Sequence, residues 1–193
     1  MKQEIKDIQT QFYQVIKRKL SINDFELWLY NTPEIGNYLS EEFYTDLISL
    51  NYNDKYILNN LEKKLKPMIP FECFEKIRLT NLLSNIINEN TDLTDVFAEL
   101  YHNYCQGYTF LRYLGLAYIL NGIEDGLTED IWEKIKEDVT NEASRILGFI
   151  ECGQLKITSE FEYEDLRENK DKIEIQDLES MFNKAKRRKS LFS

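Results

Sequence analysis

Histidine occurs once in this 193-residue chain, at His102, and cysteine only three times, at Cys73, Cys105 and Cys152. Glu99-Leu100-Tyr101-His102 is half of a di-iron carboxylate site, with Asp95 a turn earlier, but that chemistry needs a second Glu-x-x-His. A lone imidazole also excludes the usual nucleophilic devices: Cys105 lies close to His102, yet no third group completes a triad. The cysteines are odd in number and lack C-x-x-C spacing, which suggests neither a disulfide framework nor a zinc site. They read as buried, reduced thiols.

Glycine and proline are sparse as well, at seven and three residues, which argues against the many turns of an all-β architecture. Neither G-x-G-x-x-G nor G-x-x-x-x-G-K-[ST] is present, so there is no familiar phosphate cradle. With 34 acidic residues, carboxylate pairs carry almost no information about acid–base catalysis. The expectation is a protein that is not an enzyme and holds no cofactor or metal. Long apolar runs are missing too. The most apolar stretch, Phe110 to Leu120, is broken by Arg112 and falls far short of the ~20 residues that a membrane span needs. The charged first ten residues lack the apolar core of a signal peptide. These absences point to a cytoplasmic protein with no membrane partner.

Helical periodicity fills most of what remains. Residues 3–20 place Ile5, Ile8, Phe12, Val15, Ile16 and Leu20 on one stripe. Ser21, Ser40, Thr91 and Thr128 each precede a helix-start pattern, and Thr32-Pro33 reads as another start. A helix follows from Lys55 to about Leu65. In the long segment from Phe71 to Ile87 the apolar face takes Phe71, Phe74, Ile77, Leu79, Leu82, Leu83 and Ile86. Gly107 divides two helices, Gly115 permits a close helix approach, and Gly122 sits where a C-terminal glycine belongs. From Thr128 an amphipathic helix turns Ile131, Ile135, Val139, Ala143, Ile146 and Ile150 inward, with Glu129, Glu133 and Glu137 in a row outside. Leu155 to Thr158 reads as a short extended segment, 159–182 as acidic with one weak helix near Leu178 and Met181, and 184–193 as a basic tail. The fold class is all-α: an irregular bundle of about eight helices over residues 1–153. Residues 154–193 form a charged segment, loosely attached or packing back on the domain.

Charge carries the sharpest functional signal. The net charge is −10, and residues 21–158 hold 23 acids against 11 bases. Such a surface repels nucleic-acid backbones and steers basic partners toward it, so direct nucleic-acid binding is disfavoured. The five positive charges at 184–189 would give only weak, salt-sensitive contacts. Candidate partner-binding residues are the row Glu129, Glu133 and Glu137 and the row Asp92, Asp95 and Glu99. Trp28 and Tyr30 join them, from an aromatic-dense stretch in a chain that is 13% aromatic.

Three stretches together resemble small helical bacterial proteins of the immunity type found in polymorphic and contact-dependent toxin systems. They are Asp24-Phe25-Glu26 with Trp28-Leu29-Tyr30, Leu47 through Tyr52, and Glu99-Leu100-Tyr101 continuing through Tyr104, Cys105, Gly107, Tyr108, Phe110 and Leu111 to Leu114-Gly115-Leu116. The resemblance spans about residues 8–120. It implies a helical fold and inhibition of a cognate basic toxin domain, often a nuclease, and it identifies no contact residues. The residues themselves leave open an alternative, an intracellular adaptor or regulator that binds a peptide or helix of a protein partner.

Overall fold

A computed structural model of the chain describes residues 2–89 and 92–172. Among them are nine α-helices and one small hairpin. The all-α class and the count of about eight helices hold, since eight of the nine span at least two turns. Thr91, the helix near Leu178 and Met181, and the basic tail at 184–193 lie outside the described residues.

The chain divides at Pro70 into two compact units, the second opening at Phe71. The first contains α1 (Lys2–Ile16), α2 (Ile22–Tyr30), α3 (Ile35–Tyr38), α4 (Glu41–Ile48) and α5 (Ile57–Leu65). Ser21 and Ser40 cap α2 and α4 as expected, accepting from the amides of Asp24 (3.1 Å) and Phe43 (3.0 Å). Helix α1 stops at Ile16, not Leu20. Arg18 adopts φ 56°, and the amides of Lys19 and Leu20 turn back onto the Gln14 carbonyl. This left-handed residue reverses the chain before Ser21, a task usually given to glycine. Thr32-Pro33 precedes only the single turn of α3, whose cap position is Glu34, and the Thr32 hydroxyl bonds back to the Trp28 carbonyl at 2.8 Å. Phe12 centres the unit's core, with edge contacts to Phe25 and Trp28 at 6.1 and 6.2 Å between ring centroids. Such aromatic pairs add stabilisation beyond their buried area.

The second unit contains α6 (Phe71–Asn88), α7 (Leu93–Gln106), α8 (Arg112–Leu120), α9 (Glu129–Glu151) and the strands β1 (Leu155–Ser159) and β2 (Glu162–Asp165). The strands pair antiparallel, Leu155 with Asp165 and Ile157 with Tyr163, with an irregularity between Ile157 and Ser159. Alternation along β1 buries Leu155 and Ile157, and the strand packs on α6 and α9. The start of the 154–193 segment is thus part of the second unit's core, packed back on the helices. Gly115 brings α8 onto α7: an added Cβ would lie 3.0 Å from Tyr104 Cβ and 3.3 Å from the Leu100 carbonyl.

Two expectations about burial fail. On α6, Ile77 is exposed and Glu75 is fully buried, because the inward stripe runs through Phe71, Glu75, Leu79, Leu82, Leu83 and Ile86. A charged side chain occupies a core position at a spacing of four from its apolar neighbours. The three cysteines are exposed, not buried.

Candidate functional site

The expected site residues fall into three places. The most coherent is the outer face of α9. Thr128 begins the helix, its hydroxyl accepting from the Ile131 amide at 3.4 Å, and Glu129 and Asp130 complement the positive end of the helix dipole. Val139, Ala143, Ile146 and Ile150 bury the opposite stripe. Glu129, Glu133 and Glu137 recur every fourth residue and are all exposed. At 1.5 Å per residue their carboxylates line up over about 12 Å of helix. None of the three forms a hydrogen bond or ion pair among the described residues.

A neighbouring lysine has its ion pair outside this row. Lys136 bonds Glu89 at 2.6 Å, and the Trp132 indole N–H donates to the other oxygen of Glu89 at 3.1 Å. These two contacts hold the Glu89 carboxyl below the usual carboxylate range, while Glu89, with a smaller pull from Glu133, raises the Lys136 ammonium. Two bases, Lys134 and Lys136, lie between Glu133 and Glu137 in sequence, yet neither forms an ion pair with the row among the described residues.

The row on α7 is divided by other duties. Asp92 is the helix cap, accepting from the Thr94 amide at 2.9 Å. Glu99 accepts from Arg78 Nη1 at 2.6 Å. Asp95 alone stands exposed in the first turn with no such partner. Trp28 and Tyr30 belong to the first unit. Trp28 is half-buried against Phe12 and Phe25, while Tyr30 is 50% exposed and donates to the Ile48 carbonyl at 3.2 Å. The aromatic pair thus offers one packing residue and one surface residue.

Sequence reasoning missed two polar clusters in the second unit. In the first, buried Glu75 accepts through Oε2 from Arg78 Nε (3.1 Å) and Nη2 (2.5 Å), and from the Tyr108 hydroxyl (3.3 Å). Arg78 continues to Glu99 and to Asn103 Oδ1 at 2.7 Å. Tyr108 also reaches the Ser159 carbonyl and accepts from the Phe161 amide at 3.0 Å, which fastens the hairpin to the helices. Burial and the Glu75 charge push the Tyr108 phenol well above its ordinary value. In the second cluster, Glu142 is 7% exposed and receives a two-pronged contact from Arg145 at 2.7 and 2.8 Å. Burial raises the Glu142 carboxyl, and Arg145 and Arg167 oppose that shift. The available signal was spacing: Glu75 and Glu142 each lie on an apolar stripe with an arginine three residues later.

His102 is exposed, its ring 6.5 Å from that of Phe161. Among the described residues, no group of three or more His, Cys, Asp or Glu could hold a metal ion. No described helix is long and apolar enough to cross a membrane. No protein-family model, curated protein or solved structure matches the chain.

Proposed function

We propose that this protein docks a basic protein domain against the outer face of α9 and neutralises it, as an immunity-type protein does its cognate toxin, without transforming a substrate. The observation that carries this reading is the exposed row Glu129, Glu133 and Glu137, none of which forms an ion pair among the described residues. A toxin that cleaves or binds phosphodiesters carries lysine and arginine in its cleft, and a rigid carboxylate row can occupy that cleft. Complementary potentials accelerate encounter and suppress wrong partners. The helix is fixed by its buried stripe, so the row needs little ordering on binding. The resemblance to immunity proteins through residues 24–30, 47–52 and 99–116 supports the same class of task.

The test is co-expression with a toxic domain, sought in the product of the adjacent gene. The wild-type chain should restore growth and co-purify with that domain. The triple charge reversal E129K/E133K/E137K should slow association by a factor of about 10–1000, the usual range of electrostatic steering, with unchanged circular dichroism. Failure of the wild-type chain to rescue growth, or full rescue by the triple variant, would overturn the reading.

A further inference from the structure

A cavity of about 150 Å³ lies between the start of α8, the hairpin and the segment after it. Arg112, Arg145, Arg167 and Lys172 line it against one carboxylate, Asp165. In a chain of net charge −10 this is a local reversal of sign.

Two of the cations are satisfied. Arg167 grips Asp165 through Nε and Nη2, both at 2.9 Å. That contact, with help from Lys172, holds the Asp165 carboxyl below the usual aspartate range. Arg145 is filled by Glu142 and by the Asp171 carbonyl at 2.5 Å. Each of these two guanidinium groups lies 5.4 Å from the centre of the Phe149 ring, which further fixes them.

The other two are less fully met. Lys172 stands 3.9 Å from an Asp165 oxygen that Arg167 already occupies. Arg112 forms no ion pair among the described residues, and its Nε is buried with no hydrogen-bond partner there. Buried donors are almost always satisfied, so one that is not marks a missing partner. Thr109 and Tyr163, also on the wall, bond to each other through their hydroxyls at 2.6 Å. That bond uses one of two protons and leaves the other available to an acceptor.

The geometry points to a phosphoryl-binding site. Arg112, which has no ion pair, and Lys172, which only shares Asp165, leave positive charge for the dianion that a phosphoryl group approaches near pH 7, and its several oxygens suit donors arriving from three chain segments. The space holds several waters at about 30 Å³ each, and so a phosphate with a small substituent. The positive end of α8 adds to the attraction. This site is separate from the α9 row and does not depend on the docking proposal.

Isothermal titration of the full chain with inorganic phosphate, in chloride buffer at constant ionic strength, tests the assignment. Saturable binding of one phosphate per chain is expected, with acetate at least about tenfold weaker because it is a planar monoanion. R112Q and K172Q should each weaken phosphate at least about tenfold, and R112Q should keep the unliganded Tm because its Nε forms no bond to lose. A parallel titration with glycerol 3-phosphate separates the sources: tighter binding than inorganic phosphate assigns an ester, weaker binding assigns the free ion. No saturation by either up to about 10 mM, well above a millimolar Kd, would overturn the proposal. So would equal binding of acetate, or R112Q and K172Q variants that bind phosphate like the wild type.

Discussion

Replacing Arg78 with methionine isolates the strongest internal constraint in the second unit. The substitution keeps the length of the aliphatic stem and deletes the guanidinium. Glu75 is fully buried, and the Arg78 side chain is 10% exposed, so water cannot easily stand in for either. Removing one member of a buried ion pair typically costs about 3–5 kcal/mol, because the remaining charge stays desolvated without its counter-ion. For a domain of this size that corresponds to a Tm lower by roughly 6–20 °C. It is a large share of the ~5–15 kcal/mol that holds most domains folded. The double variant E75L/R78M removes both charges and should regain most of the loss. Tyr108 keeps the Ser159 carbonyl and the Phe161 amide, and Asn103 Nδ2 keeps the Glu99 carbonyl at 2.6 Å. Glu99 is 39% exposed and can be hydrated. Urea titration followed by far-ultraviolet circular dichroism gives both values, with an unchanged m-value confirming a common unfolded reference. An R78M variant within about 0.5 kcal/mol of wild type, the range of ordinary surface substitutions, would refute the reasoning, as would a double variant no better than the single one.

Gly107 sits at φ 143° with the Phe161 carbonyl only 2.7 Å from where a Cβ would be, so G107A should cost at least about 2 kcal/mol, read from the urea midpoint. Burial raises the Glu142 carboxyl above its ordinary value of 4.5, so the folded chain binds that proton more readily than the unfolded one. Wild-type Tm should therefore fall as pH rises from 4.5 through the raised value, and in E142Q that component of the slope should vanish. Asp165 is lowered, so its contribution runs the other way: it is present above 3.8 and lost as pH falls through the folded value, a loss that D165N should not show. E89Q should free Lys136 to turn toward Glu133, its neighbour at helical spacing, and slow partner association by about two- to fivefold. Stopped-flow rates at low salt would measure this, and an unchanged rate would show that Lys136 does not dilute the face.

What the sequence reveals about this fold is what is local. Ser21, Ser40 and Thr128 cap helices because hydroxyl and amide lie three residues apart, and that spacing is written in the chain. The exposed row on α9 is legible for the same reason, as a period of four opposite an apolar stripe. The errors share a cause of the opposite kind. Glu75 draws no attention in the sequence because its partner Tyr108 is 33 positions away, and only the tertiary fold brings them together. Strand β2 is hidden because Glu162-Tyr163-Glu164-Asp165 has one apolar residue, and its pairing to β1 depends on β1 being held by α6 and α9. Lys66-Pro67 and Ile69-Pro70 read as punctuation, and the boundary between the two compact units falls at the second of them. Nothing in the order of residues marks the cavity beside Arg112, since its cations come from positions 112, 145, 167 and 172.

The same pairing that stabilises the second unit also sets the charge it presents. Arg78 is consumed by Glu75 and Glu99, Arg145 by Glu142, Arg167 by Asp165 and Lys136 by Glu89. Pairing leaves the net charge untouched, and Arg78, held by two carboxylates, sits in a group of net charge −1. The bases of a strongly acidic body are few, at 11 among residues 21–158, so committing several of them to pairs leaves the remaining acids with little to screen them. Interior pairs of this kind are weak evidence for stability when compared with apolar packing. For the exterior, no described cation forms an ion pair with Glu129, Glu133 and Glu137, and the row sets up a negative field. That field falls off within a Debye length of about 8 Å at physiological salt, so it acts on a partner only at close approach and weakens as ionic strength rises.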